Sequence, residues 1–411
     1  VRTGLYGLSG GLTITAELLR TPATLQPTIA ELLRLATPLA EEFAAQAAAL
    51  DRSGAFPAAG FRRLAAAGFV VAPLRSGLGG CGLGIEASST EALLRLLKHI
   101  GRGNLAIGRV YEGHVNALQL IQTFGTAAQI ERYGREVREQ HLLFGVWNAE
   151  EGEGVTIVPL GSGRYRLEGA KTFCSGSGYV QRPFVNGKLP DGSWQMCIVP
   201  MDAVQTDCDR DWWQPLGMRA TTSFKIDFTG VELGAEDLIG QPGDYLRQPW
   251  LSAGVVRFAA VQLGGAEALF DLTRQYLQGE HRTEHPYQQE RLGQMAIALE
   301  SGNLWLRGAA ERLASYAPQF GGDPHTAHSH CDRLVAYANM TRTTVEQICI
   351  EVMQLCQRSV GARGLLPPHP MERVIRDLTL YLRQPAYDAA IAGVGAFALA
   401  QTAPADELWQ V

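Results

Sequence analysis

LLFGVWNAEEGEGVTIVPLGSGRYRLEGAKTFCSGSGY, residues 142–179, and WQPLGMRATTSFKIDFTGV, residues 213–231, decide how this chain is read. Within Leu142–Phe228 apolar and polar residues alternate in RYRLEGAKTF, SWQMCIVPM and FKIDFTGV, with Gly, Asp and Ser clusters between them. That is the period of half-buried strands bounded by turns. On both sides of the stretch the periodicity is helical. An α+β chain with a β module between two helical modules is expected. Its parts are an N-terminal extension at 1–25, a helical domain at 26–140, a β domain at 141–247 and a helical domain at 248–411.

Working outward toward the N-terminus, residues 27–69 are Ala- and Leu-rich with charges at helical spacing, and Ser53–Pro57 breaks them into two helices. GLGGCGLG then resembles a phosphate-binding turn, but no Lys-Ser/Thr follows it and no βαβ unit surrounds it, so a plain interhelical loop is expected. Val110, Val115, Leu118 and Ile121 form a helical stripe that stops at Gly125. Arg109, Glu112, His114 and Asn116 interrupt this apolar helix as a polar cluster. Toward the C-terminus, LSAGVVRFAAVQLGGAEALFDLTRQYLQ, LGQMAIALESGNLWLRGAAERLASYAP and CDRLVAYANMTRTTVEQICIEVMQLCQRSVG are three helices, and a last one follows Pro370. His325, His328 and His330 fall in a Gly/Pro/Asp/His loop before the third; no carboxylate or cysteine pattern accompanies them, and no metal is expected there.

Composition narrows the class. A net charge of −5 without a basic stripe argues against a nucleic-acid partner. Seven irregularly spaced cysteines indicate neither a disulfide framework nor a zinc site, which suits a reducing cytoplasm. No run of 18 apolar residues suggests a membrane span.

KTFCSGSG (Lys171–Gly178) and PLGMRATTSFKIDF (Pro215–Phe228) resemble the K-x-W-I-T-N-G and L-G-x-R-x-S-x-T…F signatures of the acyl-CoA dehydrogenase superfamily. QRSVGARGLLPPHPMERVIRD (Gln357–Asp377) and HRTEHPYQQERLGQM (His281–Met295) are similar to two further segments of that family, in the same order. The resemblance implies a helical N-terminal domain, a middle β-barrel domain and a C-terminal four-helix bundle. It also implies FAD held at a subunit interface, and hence a homodimer or homotetramer.

By the same resemblance Val146 and Trp147 offer backbone contacts to the flavin, and Phe173, Cys174 and Ser175 stand where the family places a ring-stacking aromatic and a hydroxyl at the ring edge. Arg282 would reach the pyrophosphate of a neighbouring subunit's cofactor, with Gln357 and Gly361 along its adenosine end.

Trp147 and Asn148 stand where the family has Thr and Glu, but the departure that matters most lies after Asp377. The catalytic glutamate expected eight residues after Asp377 is replaced by Pro385, and the first helix of the last module offers Ser252 and Arg257 but no carboxylate. Asp388 is the nearest replacement base. The principal expectation is an FAD-dependent oxidoreductase acting on CH–CH groups of an acyl(-CoA) type substrate, with a displaced base and an unidentified electron acceptor. The alternatives are a flavin-dependent monooxygenase on the same fold, supplied with reduced flavin by a reductase, and a catalytically decayed flavin-binding protein. For the monooxygenase reading His114 is expected to face the cofactor pocket, able to exchange a proton near neutral pH, while Glu112 pairs with Arg109 three residues earlier.

Overall fold

The computed structural model describes residues 10–11, 26–316 and 324–409, with side chains in the last stretch from residue 330 onward. The expected extension at 1–25 lies outside the described residues except Gly10–Gly11, a two-residue strand β1 paired with Cys208 and Asp207. Five helices follow: α1 Ile29–Ser53, α2 Ala58–Ala66, α3 Thr90–Gly103, α4 Leu105–Phe124 and α5 Ala127–Gln140. Their limits have local causes. Thr28 and Glu31 close a capping box on α1, Asn104 accepts from the amides of Ala106 and Ile107 at the start of α4, and Gly125 ends α4. The GLGGCGLG segment runs between α2 and α3 as loop and short 3-10 turns.

The middle of the chain forms two sheets. One has the order β1-β8-β9-β5, with β8 Asp207–Asp209, β9 Phe224–Asp227 and β5 Ala170–Cys174. The other runs β10-β4-β3-β6-β7-β11, with β2 Phe144–Trp147 laid parallel on β6 Arg182–Lys188. Its remaining strands are β3 Thr156–Gly161, β4 Arg164–Glu168, β7 Trp194–Ile198, β10 Glu232–Gly234 and β11 Leu238–Ile239. The barrel-like middle expected from the resemblance is thus built as two sheets, and among the described residues no strand pairing joins them.

The C-terminal helices are α6 Trp250–Gly279, α7 Pro286–Ser315, α8 Pro324–Val360, α9 Pro370–Tyr381 and α10 Tyr387–Ala400. Two details differ from the sequence expectation. The helix α8 begins at Pro324, so the histidine-bearing segment is helical and not a loop; the side chains of His325 and His328 lie outside the described residues. Beyond the last expected helix there is a further one, α10, whose Ala- and Gly-rich sequence carries little amphipathic signal. It lies along α8.

Close backbone approach ties the modules together. A Cβ on Gly101 would lie 2.3 Å from the carbonyl oxygen of Val261, and one on Gly264 would lie 2.1 Å from that of Lys98, so α3 and α6 cross almost backbone to backbone. The PLGMR and ERVIRD motifs meet in the same way. A Cβ on Gly217 would lie 2.2 Å from the Arg376 carbonyl oxygen, and the Met218 amide donates to the buried Asp377 carboxylate. Arg376 then reaches Asp51 at 2.7 Å, linking α9, the β-domain loop and α1. These contacts hold α4 between the sheets and α6.

Candidate active site

Strand β5 bulges against β9 between Lys171 and Cys174, and Phe173 sits in the bulge with φ +52°. An aromatic residue in the left-handed region is strained by about 1–3 kcal/mol. The bulge turns the Phe173 ring outward, 47% exposed, with Trp212 and Trp213 edge-on to it at 4.9 and 5.9 Å. The Ser175 hydroxyl lies beside it, bonded to Ser223 Oγ at 2.8 Å. Cys174, expected among the cofactor contacts, points the other way: it is fully buried and its thiol donates to the Lys171 carbonyl. Alternation along a strand gives neighbouring residues opposite faces, which removes the Cys174 side chain from the site. Trp147 is buried too, and its indole N–H donates to the Ser175 carbonyl at 2.9 Å. Its side chain therefore holds the Phe173–Ser175 turn in place, while its backbone stays on β2 beside Val146.

From this turn a polar seam runs into the protein. Asn148 donates to the Tyr245 hydroxyl at 3.2 Å, and its own amide oxygen is buried without a hydrogen-bond partner among the described residues. Arg109 packs against β2 near the Val146 amide, since a Cβ on Gly113 would lie 3.6 Å from Arg109 Nη1 and 3.8 Å from Val146 N. Glu112 accepts from Arg109 at 2.7 Å, as the spacing predicts, and also from Asn116. Arg257 of α6 donates to Asn116 at 2.6 Å and to Gln119. Glu112, Asn116 and Gln119 are thus i, i+4 and i+7 on the one face of α4 that looks at α6. Tyr381, at the end of α9, completes the cluster with a buried hydroxyl that has no partner among the described residues.

Electrostatics set the protonation states. Burial pushes the Glu112 carboxyl above its usual range, against the pull of Arg109, Asn116 and Arg257. Burial likewise raises the Tyr381 phenol well above its ordinary value and Tyr245 to about 12, so both keep their protons at neutral pH. Arg257 is brought down to about 10 by burial and remains a cation.

Two expected catalytic residues stand elsewhere. His114 is fully buried on the opposite face of α4, not in the cleft. Its Nδ1 accepts from the Phe144 amide at 3.1 Å, which leaves Nε2–H to donate to the Val70 carbonyl at 2.8 Å. With both nitrogens engaged and burial holding its pKa down at about 4, the ring is a neutral pin between β2 and the segment after α2. Asp388 is exposed on the first turn of α10, the helix that lies along α8. Pro385 is exposed as well, its carbonyl accepting from Arg342 at 3.0 Å.

Arg282 is exposed and has no side-chain partner among the described residues. The Gln288 side chain bonds to the Ser359 carbonyl at 3.3 Å, which brings the start of α7, just after Arg282, to the end of α8 that carries Gln357 and Gly361. Sequence reasoning missed Asn148, Tyr245, Tyr381 and the role of Arg257. For Arg257 a signal existed: it is the lone charge in the apolar run LSAGVVRFAAV.

Comparison with known proteins agrees with this architecture. Residues 31–139 match the model of the acyl-CoA dehydrogenase N-terminal domain, and residues 256–382 match that of the acyl-CoA dehydrogenase C-terminal domain. Dibenzothiophene monooxygenase of Mycolicibacterium goodii is 25% identical over 382 residues, covering 86% of this chain and 90% of that protein. The probable FMNH2-dependent monooxygenase SfnC of Pseudomonas putida is 24% identical over 395 residues, covering 92% of this chain and 97% of that one. Among solved structures, FMN-bound TdsC from Paenibacillus sp. A11-2 superposes with a TM-score of 0.82 at 22% identity, over 92% of this chain and 100% of that one.

Proposed function

The chain is an oxidoreductase of the acyl-CoA dehydrogenase family, and from that premise we propose that it is a flavin-dependent monooxygenase, using reduced flavin mononucleotide and dioxygen to oxygenate a small organic substrate. One observation carries the reading: among the described residues no carboxylate is free to act as a base in the seam. Glu112 is committed to Arg109 and Asn116, Asp388 is exposed on α10, and Pro385 occupies the position where the family's dehydrogenases keep their glutamate. Removing an α-proton from a thioester needs a placed base. The seam instead offers donors, and oxygen insertion calls for donors.

The residues fit a flavin. A flat ring needs an exposed aromatic face and polar groups at its edge, which Phe173, Ser175 and the unpartnered amide oxygen of Asn148 provide. When bound, the flavin supplies the electrons that activate dioxygen. The chain's own side chains orient and exclude: Phe173 packs the ring, the Asn148 amide oxygen accepts at its edge, the Tyr381 hydroxyl holds a proton toward the reacting oxygen, and the indole of Trp147 keeps the turn rigid. Arg282 binds a flavin phosphate across a subunit interface. This role suits FMN as well as FAD, and the choice of FMN over the FAD expected from sequence is supported by the cofactor named for TdsC and for SfnC. A separate reductase delivers the reduced flavin.

The test is a single-turnover experiment. Protein with chemically reduced FMN is mixed with oxygenated buffer and candidate thioethers, amines and aromatic heterocycles, and products are read by mass spectrometry in labelled oxygen. One labelled oxygen atom per product is expected. Bleaching of the oxidised holoenzyme by acyl-CoAs without oxygen would return the dehydrogenase reading.

A further inference from the structure

Beyond the seam, between the α2–α3 connection, α6 and the end of α7, lies a cavity of about 250 Å³. Leu93, Leu94, Trp250 and Tyr316 are among its walls, and Arg257 and Gln119 are the polar groups that reach it from the seam. An engineered cavity of about 150 Å³ holds a benzene ring, so this one takes a single ring or short chain with a small head group.

The charge around its polar end does not balance. Arg109 and Arg257 are both cations, whereas among the described residues Glu112 is the single carboxylate in the cluster: it is bonded to Arg109 and acts on Arg257 only through space. Arg257 is 5% exposed, yet its two hydrogen bonds go to the neutral amides of Asn116 and Gln119. A guanidinium carries five N–H donors and does not lose its proton. Buried charges in folded proteins are paired, because an unpaired ion loses its hydration without recompense. The other titratable neighbours, Tyr245 and Tyr381, are neutral phenols and supply no negative charge.

We propose that Arg257 is the recognition residue of a substrate subsite, taking a small organic monoanion, a carboxylate or sulfinate, whose apolar body occupies the cavity. The inference deepens the monooxygenase reading and rests on it for the reaction, though not for the binding. The anionic head takes the guanidinium's spare donors, bringing the adjacent atoms of the substrate to Asn116 and hence to the Glu112–Tyr381 part of the seam.

The experiment is calorimetric titration of the full-length protein with benzoate and with its neutral isostere benzamide, with and without saturating FMN. Benzoate is expected to bind at least tenfold more tightly than benzamide, with FMN present or absent. Arg257→Gln, checked for fold by circular dichroism, should abolish that preference while leaving benzamide binding as it was. Ala253→Leu, which narrows the cavity and leaves Arg257 in place, should weaken both ligands; if Arg257→Gln does not fold, the benzoate-to-benzamide ratio of the parent protein decides alone. Equal binding of the two ligands, benzoate binding that survives Arg257→Gln, or displacement of benzoate by FMN would overturn the proposal. None of these readouts uses turnover, so failure of the oxygenation experiment leaves this one standing, and the reverse.

Discussion

The helix α4 has two polar faces, and they behave differently. Toward β2, Tyr111 donates to the Phe69 carbonyl at 2.9 Å and His114 engages Val70 and Phe144, so each polar group on that side has a backbone partner. Toward α6 and α9, Glu112, Asn116 and Gln119 join Arg109 and Arg257 in a hydrogen-bonded network, with Asn148 and Tyr381 near it; among the described residues these two carry orphan groups, and the network sets two cations against one carboxylate. Both faces are buried. What separates the two faces is closure of the hydrogen-bond network: a satisfied network pins two elements together, whereas an open one has donors and charge to spare, which the proposed site would use.

The largest expected effect comes from breaking the closed face. His114→Ala strands the Phe144 amide and the Val70 carbonyl and leaves a ring-sized void, which should cost about 3–5 kcal/mol in denaturant unfolding. FMN binding per folded molecule should be unchanged. The pH dependence sharpens the point. Burial brings His114 down to about 4 in the folded chain, from the 6.5 of an ordinary imidazole, so between those values the unfolded chain binds the extra proton. Its contribution is complete above pH 6.5 and is lost as pH falls toward 4, by about 3 kcal/mol. His114→Gln, able to donate and accept at the same two backbone groups, should lack that segment of the pH profile. If His114→Ala left stability untouched and abolished turnover, the two faces would have to be exchanged.

A smaller effect is expected on the open face. Glu112→Gln removes the carboxylate that accepts from Arg109 and Asn116, which should cost about 1.5–3 kcal/mol of stability. The same substitution should strengthen benzoate binding severalfold, since the ligand becomes the sole counter-ion. Weaker benzoate binding would mean that the surplus charge is neutralised in some other way. The smallest effect belongs to Asp388→Asn: an exposed acid on the first turn of α10 contributes at most about 0.3–1 kcal/mol through the helix dipole. Turnover should not change; a loss of tenfold or more would restore Asp388 as a base and undo the argument from the missing carboxylate.

Much of this architecture was legible in the chain itself. The alternation in Leu142–Phe228 and the four family motifs specify the order helical, β, helical, because strand and helix periods are local properties that survive without knowledge of partners. The Arg109–Glu112 pair is readable for the same reason: three residues on a helix face one another whatever surrounds them. The helix α10 was missed because AAIAGVGAFALA has no polar face to mark its period.

The sequence by itself determined the family, the element order and the absence of a glutamate at Pro385. It also determined that Glu112 and His114 diverge, since side chains two residues apart on a helix point about 200° from each other. Only the tertiary structure decided which of them meets the cleft. That choice belongs to the packing of α4 between the sheets and α6: β2 and the segment after α2 offered His114 two backbone partners, and α6 brought Arg257 across to the opposite face. A lone arginine in an apolar run says nothing of its part until one knows that, among the described residues, its hydrogen bonds go to the neutral amides of Asn116 and Gln119.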